Sequence, residues 1–368
     1  MSGQSAENVQ PVSTLAGRYY TDQAIYHREM TALFARTWQY AGHESQVPDP
    51  GDFFAFDVAG QSLFCVRDEQ RALHTFYNVC QHRAHELVHG AGNCRKVITC
   101  PYHAWSYTLD GRFLKGPNTE VVPGTSKDGI CLTSVRTEVF CGFVFVNLDD
   151  STAPMASWYP RVEQELRAFV PDIDALKPLE LIRVAEKCNW KLSVENYSEC
   201  YHCRINHRTF ATGVIKPETY NIQPQGHCLR HTTECQNLDQ MSYPIDLDSN
   251  VHAGHYSSWF LWPTFSFQVY PGNVLNTYHW QPVDVEAVDV WRGWYTVNGE
   301  ESQVIRDLAI QDRQTTVEED IDLVESQQRG YKSLGYRPGP LVIDPQGGVN
   351  SEHSVRVLQQ WLREALEP

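Results

Sequence analysis

Two short segments carry residue types matched for metal chemistry. Cys80-Gln81-His82 is followed, after an interval spanning residues 83–99, by Cys100-Pro101-Tyr102-His103. Each segment offers one thiolate and one imidazole. A 2Fe–2S centre with two Cys on one iron and two His on the other needs this mixed supply, and neutral imidazole raises its reduction potential above that of an all-Cys cluster. Zinc accepts the same donors in a tetrahedron, although its usual signature pairs Cys with Cys and His with His. The mixed pairs, with a short strand and Pro101 between them, suit two loops closing over a cluster. His85, His89 and Cys94 lie between the pairs and read as solvated loop residues and a core thiol, and Trp105 reads as an apolar shield over the centre.

A second constellation runs from Glu195 to His207, Glu-Asn-Tyr-Ser-Glu-Cys-Tyr-His-Cys-Arg-Ile-Asn-His. Two neutral histidines and one carboxylate form the facial triad that holds Fe(II) with positions left open for O₂. His202 and His207 are five residues apart, which on an unbroken helix turns them about 140° from each other. They can share a metal only if the helix ends or distorts between them. Glu199, three residues before His202, shares nearly the same helical face. By itself such a spacing more commonly marks two structural histidines; the upstream cluster gives it weight, because a redox centre needs an acceptor.

Cys80–His82 with Arg83, and Cys100–His103 followed by Ala-Trp, resemble the Rieske domain of the ring-hydroxylating oxygenase superfamily, and His202 and His207 resemble its two histidine ligands of a mononuclear iron. The resemblance implies that Glu199 bridges the iron's histidine to a cluster histidine of a neighbouring subunit. Many members carry Asp there; Glu-Cys-Tyr-His-Cys is similar to the subgroup acting on quaternary ammonium compounds such as carnitine, γ-butyrobetaine and betaines. The third ligand implied lies on a late helix, where Glu319-Asp320-Ile321-Asp322 fits with Asp320 as ligand and Asp322 and Glu319 as competitors. Also implied are O₂ as co-substrate, a separate flavin/ferredoxin-type reductase that supplies NAD(P)H and flavin, and a homotrimer. The activity implied is hydroxylation next to nitrogen with C–N cleavage. An oxygenase for aromatic substrates and a Rieske electron carrier remain as alternatives.

The elements that must position these residues divide the chain. Ile25, Met30, Leu33, Phe34 and Trp38 recur at helical spacing behind Thr21-Asp22, giving a helical segment over 1–40. Short apolar runs broken by Gly, Asp and Pro (Phe53–Val58, Ser62–Val66, His74–Asn78, Lys96–Thr99, Trp105–Leu109, Phe143–Leu148) give an all-β domain over 41–150, with Asp110-Gly111 as a hairpin turn. Residues 151–368 read as an α+β catalytic domain, an antiparallel sheet flanked by helices. Its strands are expected at Ser258–Tyr270, Thr277–Gln281 and Val288–Val297. Helices are expected over Val162–Phe169, Trp190–Cys203, Glu301–Leu334 and, behind a polar cap, Ser351–Leu366. The substrate wall is sought among Tyr256, Trp259, Phe260, Trp262, Phe265, Phe267, Tyr270, Tyr278 and Trp280. Trp259, Phe260, Phe265, Phe267 and Tyr278 are its nominated members, because aromatic faces attract a quaternary ammonium. The same alternation suits ordinary sheet packing.

Composition bounds the function classes. Of 368 residues, 45 are Asp or Glu against 30 Lys or Arg, a formal charge of −15, and there is no basic run, so neither nucleic acid nor a membrane surface is an expected partner. The polar start MSGQSAENVQPVSTLAG shows no apolar leader. A cytoplasmic home is therefore expected, in which the 11 cysteines stay reduced or bind metal, with Cys65, Cys131, Cys141 and Cys188 buried as small apolar residues. No Gly-rich dinucleotide fingerprint follows a strand, in keeping with a cofactor-bearing partner.

Overall fold

The computed structural model describes residues 12–121 and 129–367, so most of the polar amino-terminal stretch lies outside the described residues. Asp22, standing between two short helices, caps the second by accepting from the backbone N–H of Ala24. Helices α1 (Arg18–Thr21) and α2 (Gln23–Glu29) run into a π-helical turn, Met30–Phe34, which carries Leu33 and Phe34 into the core. Ten strands follow: β1 Gln39–His43, β2 Asp52–Val58, β3 Gln61–Arg67, β4 Leu73–Tyr77, β5 Ala91–Asn93, β6 Val97–Thr99, β7 Ser106–Thr108, β8 Phe113–Lys115, β9 Ser134–Phe140 and β10 Phe143–Asn147. Seven of them form one antiparallel sheet, β1-β10-β9-β4-β3-β2-β5, and β6-β7-β8 form a separate three-stranded sheet. The β7–β8 turn uses Gly111 at φ +86°, the left-handed conformation that the Asp-Gly pair predicts.

Beyond α3 (Met155–Trp158) and α4 (Val162–Phe169) lies a second antiparallel sheet. Its strands are β11 Leu176–Glu186, β12 Asn221–Gln225, β13 Cys228–Glu234, β14 His255–Leu261, β15 Phe265–Tyr270, β16 Val274–Asp284 and β17 Ala287–Val297, in the order β11-β17-β16-β15-β14-β13-β12. The long strand expected over Ser258–Tyr270 is therefore two antiparallel strands, reversing between Leu261 and Phe265 through a cis Trp262-Pro263 bond. Between β11 and β12 sit α5 (Trp190–Tyr197), α6 (Cys203–Asn206) and α7 (Arg208–Gly213). After β17 come α8 (Gln303–Asp312), a π-helical turn at Arg313–Val317, α9 (Glu318–Tyr331) and α10 (His353–Leu366).

The second sheet has two working faces. Trp259, Phe265 and Phe267 point to one side and pack with Phe143, Phe145, Trp38 and Leu166, joining this sheet to the first one and to α4. Phe260, Tyr278 and Trp280 point to the other side, toward Trp190, Val194, Val324 and the apolar stripe of α10, Leu358, Leu362 and Leu366. Burial of each such side chain is worth about 1.5–3 kcal/mol. The helical layer is tied down by a buried ion pair: Lys191 Nζ stands 2.6 Å from Glu29 Oε1, and Trp190 Nε1 donates to Glu29 Oε2 at 2.8 Å. Asn189 caps α5 by accepting from Lys191 N.

Three details depart from the sequence expectation. Ser351 does not cap α10, whose first turn has no side-chain cap; its hydroxyl instead accepts from Asp344 N. Cys131 is exposed, unlike Cys65, Cys141 and Cys188, because it lies in a bridge to Arg112 at the rim of the small sheet. Cys200 and Cys203 are joined by a disulfide rather than standing as free thiols, since one turn between α5 and α6 sets their Cα atoms 4.9 Å apart. Among the described residues no helix is long and apolar enough to cross a membrane.

Candidate active site and cluster loops

The two Cys/His segments fold as twin loops. In the first, Cys80 N donates to His85 O and Ala84 N to Cys80 O; in the second, Cys100 N donates to Trp105 O and Ala104 N to Cys100 O. Ala84 and Ala104 both take φ +57°, so each loop reverses on a left-handed residue of small side chain. The loops face each other: His82 and His103 have ring centroids 4.7 Å apart, and Cys80 and Cys100 are each 2% exposed. Tyr107 donates its hydroxyl toward Cys80 Sγ at 3.3 Å and accepts from Gln81 N at 3.1 Å. Trp105 stacks on His82 at 4.6 Å and 8°. Two thiols inside and two imidazoles toward the surface fit the donor set of a 2Fe–2S centre. His85 and His89 lie exposed outside the loops, and Cys94 packs beneath them.

The helix carrying the second constellation does break. α5 ends at Tyr197, His202 stands just before α6, and α6 stops at His207, whose φ −105° and ψ 65° are not helical. The break turns both imidazoles to one point. His202 Nε2 and His207 Nε2 are 3.0 Å apart, and Asp320 Oδ1 lies 3.0 Å from His207 Nε2 and 3.5 Å from His202 Nε2. Ligands at right angles, each about 2.1 Å from an ion, stand about 3.0 Å apart, so these three atoms fit one facial metal site. Each imidazole's other nitrogen is held by a carboxylate. His202 Nδ1 donates to Glu199 Oε1 at 2.5 Å, and His207 Nδ1 donates to Glu319 Oε2 at 2.8 Å. That fixes the tautomer that frees each Nε2 lone pair for a metal. Burial pulls the His207 imidazole down, but hydrogen bonding and charge from Asp320 and Glu319 outweigh it, and its pKa is raised.

Asp320 is placed by the π-helical turn that precedes α9, an irregularity frequent at functional sites. Asn196 Nδ2 donates to its Oδ1 at 3.2 Å. Of the acids that compete with Asp320 in sequence, Glu319 holds the far side of His207, and Asp322 is not one of the three convergent groups.

A cavity opens from these three residues onto the second sheet. Its aromatic wall is Tyr197, Tyr278 and Trp280, with Tyr220, Tyr256 and Tyr270 further along, and its polar groups include Glu186, His231 and Gln268. Burial holds the Glu186 carboxyl up, to about 7, with the charge of Asp320 adding to it. Of the five aromatic residues nominated from sequence, only Tyr278 lines this cavity. Trp259, Phe265 and Phe267 face the opposite side of the sheet and belong to the inter-sheet core, while Phe260 packs beneath Trp280 and α5. The reason is strand parity: successive side chains alternate faces, and the turn at Trp262-Pro263 sets that parity separately on β14 and β15. Glu186, His231 and Gln268 were not found from sequence; of the three only Gln268, an amide at an inward position of the largely apolar β15, leaves a readable signal.

Comparison with known proteins places both halves. Residues 172–368 match the family described as ring hydroxylating alpha subunit (catalytic domain), and residues 37–126 match the Rieske [2Fe-2S] domain. The chain is 33% identical over 343 residues to the carnitine monooxygenase oxygenase subunit of Acinetobacter pittii (strain PHEA-2), covering 93% of this chain and 91% of that protein. It is 27% identical to the chloroplastic choline monooxygenase of Beta vulgaris, covering 95% and 76%. A crystal structure of the quaternary ammonium Rieske monooxygenase CntA with L-carnitine superposes with a TM-score of 0.85 at 30% identity, covering 98% of this chain and 97% of that one.

Proposed function

Because this chain belongs to the ring-hydroxylating oxygenase alpha subunits, oxidoreductases that join a Rieske domain to a catalytic domain, we propose that it oxidises a small quaternary ammonium compound of the carnitine or betaine class. The carrying observation is the wall of Tyr197, Tyr278 and Trp280, with the acid Glu186, in the same cavity as His202, His207 and Asp320. Aromatic faces attract a cation through their quadrupole, and more strongly when water is excluded. A neutral aromatic substrate gains nothing from a buried carboxyl. Oxidation of a carbon next to the nitrogen would then cleave the C–N bond.

In this proposal His202, His207 and Asp320 hold a mononuclear iron, and Cys80, His82, Cys100 and His103 hold the 2Fe–2S cluster. Bound there, the two groups supply O₂ activation and one-electron transfer, fed by a separate flavin- and NAD(P)H-dependent reductase. The chain's own residues do the positioning. Glu199 and Glu319 fix both imidazole tautomers, Asn196 orients the Asp320 carboxylate, and the aromatic wall excludes water from the reacting end of the substrate. Glu199 lines the interior cavity and also an outer depression edged by Asn206 and Glu352. It thus spans the wall between the site and the surface. This supports a homotrimer in which Glu199 reaches a cluster histidine of a neighbouring subunit.

The test is substrate-dependent O₂ uptake by the iron-loaded protein with a matched reductase. Carnitine, γ-butyrobetaine and glycine betaine are compared with benzoate and related aromatic acids. Uptake coupled to a betaine and lost in Asp320→Ala is expected. Uptake with aromatic acids alone would overturn the substrate class.

A further inference from the structure

Glu186 is a buried acid that neither candidate metal site uses. It ends β11 with 6% of its surface exposed, and it lines the cavity that also holds His202, His207, Asp320 and the rings of Tyr278 and Trp280. Two neighbouring groups donate to its carboxyl. Cys188 Sγ stands 3.7 Å from Oε2, and the Ser193 hydroxyl donates to Glu186 while accepting from Trp280 Nε1 at 2.8 Å. Ser193 therefore ties the acid to one of the rings that would meet a cation.

The cations around this acid are committed elsewhere. From α9 the carboxyl feels Asp320 and Glu325, both negative, and from its own segment the thiol of Cys188. Its cross-strand partner on β17 is Val288, and the charged residues of that strand, Asp289 and Arg292, pair with Arg183 and Asp312. On α5, Lys191 is held by Glu29. From β16 the cavity receives only the rings of Tyr278 and Trp280. Burial outweighs the two donors and, with the negative charges of Asp320 and Glu325, holds the Glu186 carboxyl up to about 7. Its hydrogen bonds suit the anion; what the anion lacks is a counter-charge. A quaternary ammonium supplies one and has no N–H of its own to donate. Seated beside a neutral acid it would bring a net charge into a desolvated cavity, at a cost; exchanged for a proton, it leaves the charge of the cavity as it was.

We propose that Glu186 is the counter-ion of the quaternary ammonium and exchanges its proton for it: as the cation seats, the carboxyl O–H bond breaks, the proton leaves to solvent and the carboxylate stays beside the cation. No electron moves and no bond to the substrate forms. The inference rests on the quaternary ammonium reading above. An opposite charge about 4–6 Å away makes a carboxyl roughly 10- to 1,000-fold more acidic. At the middle of that range the cation binds the ionised form about 100-fold more tightly than the protonated one. Binding should then release about half a proton per chain at pH 7 and about 0.8 at pH 6, and affinity should fall about tenfold from pH 8 to pH 6.

The measurement is calorimetry on the iron-loaded protein, anaerobic and without reductase, in two buffers of different ionisation enthalpy at pH 6, 7 and 8, which reads the proton count apart from the affinity. The probes are butyltrimethylammonium, γ-butyrobetaine and 5,5-dimethylhexanoate, the last having the shape of γ-butyrobetaine without its cation. Wild type should release protons with both cations and none with 5,5-dimethylhexanoate. Glu186→Gln should release none, bind the cations with no pH dependence over this range, and lie about 100-fold below wild type at pH 8. Ser193→Ala removes one donor to the carboxylate, so the midpoint of proton release should move to higher pH, and this variant keeps the test open if the glutamine variant does not fold. Cation binding without proton release, release that persists in Glu186→Gln, or a midpoint unmoved in Ser193→Ala overturns the exchange and leaves the quaternary ammonium reading standing. If 5,5-dimethylhexanoate binds as tightly as γ-butyrobetaine at pH 8, or if neither cation binds, both fall.

Discussion

Glu319 offers a graded test of how the proposed metal site is held. Its carboxylate accepts from His207 Nδ1 at 2.8 Å, while Glu199 does the same for His202 at 2.5 Å. Removal of such an outer partner typically weakens metal binding 10- to 100-fold, or about 1.4–2.7 kcal/mol. The two carboxylates should not count equally. Glu319 is 39% exposed and solvent screens its charge, whereas Glu199 is 11% exposed. Glu319→Ala should therefore cost about tenfold in iron affinity and Glu199→Ala nearer 100-fold. Glu319→Gln, which keeps a carbonyl acceptor, should lose less than the alanine variant. The assay is iron retained against a graded chelator in anaerobic buffer. The cluster absorption serves as the internal reference, because its four residues lie on loops of the first domain. Wild-type iron retention in Glu319→Ala, or a larger loss there than in Glu199→Ala, would refute the assigned roles, as would loss of the cluster together with the iron.

Two predictions concern the frame around the site. The buried Glu29–Lys191 pair joins α2 to α5, with the carboxyl 0% and the ammonium 3% exposed; Lys191→Met strands a buried carboxylate and should cost about 3–5 kcal/mol. Glu29→Gln/Lys191→Met, which still offers an acceptor to Trp190, should recover most of that loss in urea unfolding, and a double variant equal to the sum of the singles would show that the two groups are not coupled. Acid sensitivity follows from two histidines buried in neutral form, His43 held down to about 4 and His231 to about 3, mainly by burial. Their folded pKa values are depressed, so as pH falls below about 6.5 the unfolded chain takes up protons first. Stability present above that pH is then lost at up to about 1.4 kcal/mol per pH unit for each group, until the folded pKa values are reached. Denaturant midpoints measured at pH 7, 6 and 5 should fall accordingly, and His43→Gln should flatten the slope; an unchanged slope would contradict the burial argument.

That the residues of each candidate metal site come together was legible because their spacing is local. The twin loops are each six residues long, and the requirement that a helix end between His202 and His207 followed from their spacing. The third convergent group was harder. Three acids within four residues could each face inward, and what distinguishes Asp320 is the phase set by the π-helical turn before it, which no periodicity argument supplies. The strands Leu176–Glu186, Asn221–Gln225 and Cys228–Glu234 were missed because charged and polar residues alternate along them, as fits their places at or beside the two opposite edges of the sheet. Their loss hid Glu186 and His231. The substrate wall failed for a third reason. Over Ser258–Tyr270 nearly every residue is apolar or aromatic, so composition could mark the buried strands without saying which face each ring takes.

That face is decided by small polar residues among the aromatics. On β15 the order Phe265, Ser266, Phe267, Gln268, Val269, Tyr270 sends Phe265, Phe267 and Val269 into the core shared with the first sheet. Gln268 and Tyr270 go to the cavity, and Ser266 takes the Tyr197 hydroxyl at 2.8 Å. A slip of one residue would exchange the two sets, exposing phenylalanines to the metal site and burying an amide and a hydroxyl against Phe143. The register is therefore held from both sides at once, by apolar packing on one face and by hydrogen bonding on the other. Read in this way, the serine, glutamine and asparagine on β15 and β16 are the residues that mark the functional face, and the aromatics take their roles from them.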